Sequence, residues 1–71
     1  MKDQKFRCVK GIVDNIGQII VFPGDILKFI EVEEGEYYFE VIDGWCTGME
    51  LNFNGKEVIE HFEYWGKTFV R

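Results

Sequence analysis

An all-β domain, folded as a small five-stranded antiparallel barrel, is predicted by three features of this 71-residue chain. Eight glycines punctuate short runs rich in β-branched and aromatic residues. Within those runs apolar and polar side chains alternate, the period of a strand with one face on a core. Alanine is absent and few apolar stretches favour helix, which argues against a helical bundle. A chain of this length builds one core, so residues 1–71 are expected to form a single domain.

The strand pieces follow in order. Lys5–Val13 runs to a turn at Asp14-Asn15-Ile16-Gly17, and Gln18–Phe22 follows it. Phe22-Pro23-Gly24-Asp25 then carries a type II signature: proline fixes φ at the second position, and glycine supplies the positive φ at the third. Asp25 is placed to accept a backbone hydrogen bond and to start Ile26–Glu33. A tight Glu34-Gly35 corner returns the chain through Glu36–Ile42, with Tyr37, Phe39 and Val41 on one face and Glu36, Tyr38 and Glu40 on the other. After Asp43-Gly44, Met49–Phe53 sets Met49, Leu51 and Phe53 against Glu50 and Asn52. Val58 and Phe62 stand four apart, which predicts one short helical turn, 3₁₀ in type and capped by Asn54. A last extended piece, Tyr64–Val70, completes the chain. The core of so small a domain needs most of the twelve aromatic residues.

Composition narrows the chemistry. Without serine there is no Ser-nucleophile mechanism. No apolar run reaches the ~20 residues of a membrane span, and no apolar signal segment follows Met1, so a cytoplasmic protein is expected. Cys8 and Cys46 read as reduced, packed thiols in that setting, with a redox pair as the alternative. Two cysteines and one histidine, without CxxC or CxxH spacing, make a poor zinc set. Walker and dinucleotide glycine spacings are missing, and the acids do not follow a calcium-loop pattern. No cofactor or metal is expected. His61 with Cys46 or Cys8 would be the sole route to an enzyme, and a domain this small has little room for both a cleft and a core.

Four segments carry a resemblance: Phe6-Arg7-Cys8-Val9-Lys10, Phe22-Pro23-Gly24-Asp25-Ile26-Leu27, Tyr37-Tyr38-Phe39-Glu40-Val41 and Glu60-His61-Phe62-Glu63. With five strands and a helical turn before the last, the chain resembles the short SH3-like proteins of Gram-positive bacteria, their phages and mobile elements. The resemblance spans most of the chain. It implies an SH3-like barrel and transfers no site, because such proteins mostly have no assigned role.

The net charge of −5 is unevenly distributed. Residues 29–55 hold no lysine or arginine and seven acids: Glu31, Glu33, Glu34, Glu36, Glu40, Asp43 and Glu50. A hairpin there gathers Glu31, Glu33, Glu34, Glu36 and Glu40 at its tip and along one face. Such a pole repels phosphate, so direct nucleic-acid binding is not expected. It suits a basic protein surface or peptide, or mimics nucleic acid toward a DNA-binding protein, and otherwise serves only solubility. Trp45, in the loop after Gly44, is expected either to contact a ligand or to cap an open end of the barrel. Tyr38, Trp45 and Trp65 on one side would make an aromatic patch bordered by Glu36 and Glu40, fit for a basic peptide or for a second copy. The expected function is therefore a non-catalytic protein-interaction module, monomeric or homodimeric, with a structural self-associating protein as the alternative.

Overall fold

The computed structural model describes residues 3–65. Seven strands and one helix follow in order: β1 (Lys5–Cys8), β2 (Ile12–Val13), β3 (Ile19–Val21), β4 (Ile26–Glu33), β5 (Glu36–Asp43), β6 (Glu50–Asn54), α1 (Gly55–His61) and β7 (Phe62–Tyr64). Five strands form one antiparallel sheet in the order β6-β5-β4-β1-β7, and β2 pairs with β3 in a separate two-stranded sheet. The all-β class and the short strands follow the sequence pattern.

Three details differ from the expectation. The first strand piece breaks after Cys8, because the Val9 and Lys10 amides turn to the His61 carbonyl, at 2.7 and 3.3 Å. The remainder becomes β2, which pairs with β3 as a hairpin. Asp14 Oδ1 organises its turn by accepting from the Ile16 and Gln18 amides. The helical turn is α in type and covers Gly55–His61. Asn54 does cap it, and a full capping box forms: the Glu57 amide donates to Asn54 Oδ1 at 2.8 Å, and the Asn54 amide to Glu57 Oε1 at 2.9 Å. That box starts the helix a turn before Val58 and gives it room for regular i→i−4 bonding. Finally, no ladder joins β6 to β7 among the described residues, so the sheet is open between them and α1 spans the gap. Of the predicted last strand, residues 66–70 lie outside the described residues.

The turns behave as their residues require. Gly24 takes φ 99°, and the Asp25 amide reaches the Phe22 carbonyl at 2.9 Å, closing the predicted type II turn. Asp25 Oδ2 accepts from the Phe22 amide at 2.9 Å. The same carboxylate presses on Gly44, where a Cβ would lie 2.5 Å from Oδ2, so only glycine fits.

Cys8, Val21, Leu27, Phe29, Phe39, Val41, Phe53 and Phe62 form the buried core, with Phe6, Ile12, Ile20, Tyr37, Leu51 and Val58 packed against it. Phe39 and Val41 follow the alternation of β5. Fewer aromatics are buried than the sequence suggested: Phe22, Trp45, Tyr64 and Trp65 are exposed. Aliphatic side chains from β3, β4 and β5 take their place.

Asn54→Ala removes the acceptor of the capping box and leaves the Glu57 amide without its side-chain partner. Chemical denaturation is expected to show a loss of about 1 kcal/mol relative to wild type.

Candidate functional site

The β4–β5 hairpin positions the acidic residues. Glu33 pairs with Glu36, and the two residues between them, Glu34 (φ 52°) and Gly35 (φ 81°), both have positive φ, the geometry of a type I′ turn. Gly35 suits that geometry. Glu34 holds a left-handed conformation that costs an ordinary L-residue about 1 kcal/mol. A bulge between Phe29 and Glu31 then brings Glu31 opposite Tyr38 and Val32 opposite Tyr37. Glu31, Val32, Glu33 and Glu34 are exposed at the end of the hairpin.

The five glutamates separate into two groups. Glu40 lies away from the tip, opposite Lys28, whose ammonium stands 3.6 Å from its carboxylate. Glu36 accepts a hydrogen bond from Asn52 Nδ2 at 2.8 Å, across β5 and β6. Glu31, Glu33 and Glu34 form no ion pair or side-chain hydrogen bond among the described residues. The charged tip is therefore smaller than the sequence implied, and it consists of these three with Glu36 beside them.

The three predicted aromatics do not converge. Tyr38 sits half-buried on the solvent face of β5. Trp65 follows β7, where its amide donates to the Lys5 carbonyl at 2.9 Å and its ring lies 5.5 Å beneath the Arg7 guanidinium. Strands β4 and β1, carrying Lys28 and Lys5, stand between Tyr38 and Trp65. Trp45 belongs to a third place, the β5–β6 loop, which is tightened by Thr47 Oγ1 bonding both the amide and the carbonyl of Gly44. At 63% exposure Trp45 is no lid. It packs edge-on against Phe22, with ring centroids 6.4 Å apart. Phe22 was not singled out from sequence, because its place beside the Pro23 turn reads as ordinary strand-end packing.

His61 and Cys8 meet at one atom. His61 Nδ1 lies 2.8 Å from the Lys10 carbonyl oxygen and Cys8 Sγ 3.2 Å from it. A carbonyl only accepts, so Nδ1–H and S–H both donate. Burial pushes the Cys8 thiol above its ordinary range, the Lys10 bond opposes this, and nearby Asp25 adds to the rise. An activated thiol is shifted the other way. Lys10 also pairs with Glu60, whose carboxyl that hydrogen bond and charge hold below the usual range. Both cysteines are free, Cys46 being half-buried. Among the described residues no pocket opens and no cluster of metal-ligating side chains forms.

Brief native-state alkylation followed by mass spectrometry is expected to modify Cys46 first, and Cys8 only on unfolding. Because folding raises the Cys8 pKa, its contribution to stability is complete below the unfolded thiol value and declines as pH rises past it. Cys8→Val, which has no thiol to ionise, is expected to lack that part of the alkaline loss in denaturation curves.

Compared with protein-family models, curated proteins and solved structures, this chain matches none.

Proposed function

We propose that this chain is a non-catalytic, SH3-like protein-interaction module whose acidic β4–β5 hairpin binds a basic segment of a partner protein. The strand order β6-β5-β4-β1-β7, with a single helix before the last strand, supports the SH3-like reading. One observation carries the functional reading. Glu31, Glu33 and Glu34 are exposed without an ion pair among the described residues, although Lys28, Arg7 and Lys10 each engage a glutamate elsewhere.

The tip is unfavourable for the isolated chain. Glu33 and Glu36 are like charges directly opposite one another, which destabilises a strand pair. Glu34 adds a left-handed backbone where asparagine or glycine would relax it. A lysine- or arginine-bearing segment relieves the repulsion on binding, while exposed Val32 offers a small apolar contact beside the charges. Such an interaction draws its rate and selectivity from charge and weakens with salt.

Titration of the labelled protein with an oligolysine peptide, followed by NMR, is expected to shift the amide signals of residues 31–36 and to lose affinity as salt rises. Glu33→Lys with Glu36→Lys is expected to keep the fold and abolish both the peptide response and pull-down of a basic partner. Binding that survives the double reversal rules out the acidic tip.

A further inference from the structure

A second charge pattern lies on the solvent face of the sheet, away from the hairpin tip. Lys5 on β1, Lys28 on β4, Glu40 on β5 and Glu50 on β6 stand in one cross-strand row. Lys5 is directly opposite Lys28, and Glu40 directly opposite Glu50. Each pair sets like charges together, an arrangement that weakens a sheet. The central Lys28–Glu40 contact at 3.6 Å offsets part of this. The outer members, Lys5 and Glu50, are exposed and form no ion pair among the described residues.

Read across four strands, the row is plus, plus, minus, minus. That order is its own complement. A half-turn about an axis parallel to the strands, midway between Lys28 and Glu40, brings Lys5 of one copy over Glu50 of the other. The same operation brings Lys28 over Glu40. In the neighbouring rows Arg7 of β1 lies on the basic side, paired with Glu63, and Glu36 of β5 on the acidic side, while Glu31 and Glu33 of β4 lie toward the hairpin tip and outside the pattern. Half-buried Ile26 and Tyr38 share the face and supply apolar area near the axis. A purely basic partner would satisfy Glu40 and Glu50 but repel Lys5, Lys28 and Arg7, and an acidic partner the reverse. Only an occupant with both signs in this order fits the row.

We propose that two copies of the chain dock through this face as an isologous dimer, each Lys5 paired with Glu50 of the other copy. The contact occurs twice by symmetry, so a single reversal alters two pairs at once. Loss of the like-charge strain within each sheet adds to the attraction between them.

Sedimentation velocity of the full chain, from micromolar to millimolar concentration at low salt, tests this directly. Wild type is expected to show a monomer–dimer equilibrium that shifts toward monomer as salt rises. Lys5→Glu and Glu50→Lys are each expected to weaken the dimer by about tenfold. The combination K5E/E50K restores opposite charges across the axis and is expected to return the Kd to within about threefold of wild type. Circular dichroism of each variant confirms the sheet. A wild-type monomer at every concentration overturns the proposal, as do single reversals without effect or a double variant that fails to recover. None of these variants alters the hairpin tip, so oligolysine binding can persist or fail independently of the dimer.

Discussion

Phe39 is the point on which the architecture rests. It is wholly buried, and its ring meets Phe6 of β1, Phe29 of β4, Phe53 of β6 and Phe62 of β7, at centroid separations of 5.2–6.0 Å. Each of the other four strands of the main sheet thus delivers a ring to this one position on β5. Edge-to-face and tilted arrangements contribute beyond the area they bury. The open seam between β6 and β7 is bridged on the inside by Phe53 and Phe62, 5.2 Å apart, with no backbone ladder across it among the described residues. A core made this way leaves the outer face without packing duties, and the charged residues occupy it.

Those charges are sorted by strand. The cations of the main sheet fall on β1 and the first half of β4, and the acids dominate the second half of β4, β5 and β6. Interleaving opposite signs would have stabilised the sheet more, since directly opposed unlike pairs favour it and like pairs do not. Glu33 with Glu36, Glu40 with Glu50 and Lys5 with Lys28 all depart from that rule. Departures from local consistency concentrate where a surface has a task beyond folding. The hairpin tip and the bipolar row are separate departures, one set at the end of the strands and the other across them.

The strands were legible in the residues because period-two alternation and turn chemistry are local. Glu36–Ile42, the type II turn at Pro23-Gly24 and the Asn54 cap needed no knowledge of distant neighbours. The break after Cys8 was not legible, since it depends on the carbonyl of His61, more than fifty residues away. The helix type was missed because Glu57 completes a capping box that the Val58/Phe62 spacing alone does not reveal. The site was only partly legible. Charge counted along the chain grouped Glu40 with the tip, whereas cross-strand register gives it to Lys28. Alternation placed Tyr38 correctly on the outer face, but strand order, invisible in a single sequence, put two strands between it and Trp65. The same invisibility hid the Lys5–Lys28–Glu40–Glu50 row, whose members are scattered through the chain.

Strand β1 lies between β4 and β7, so the earliest of the described strands in chain order is hydrogen-bonded on one side to residues 26–28 and on the other to residues 62–64. Its second edge has no ladder partner until almost all the described chain has been made. Closing that pairing spans most of the domain, a long loop to order before any reward, and contacts of such separation slow folding. During synthesis the β4–β5 hairpin can form early, while the sheet as a whole assembles only after translation has passed Tyr64. Until then the nascent chain exposes an unpaired strand edge, and its own late residues are what cover it.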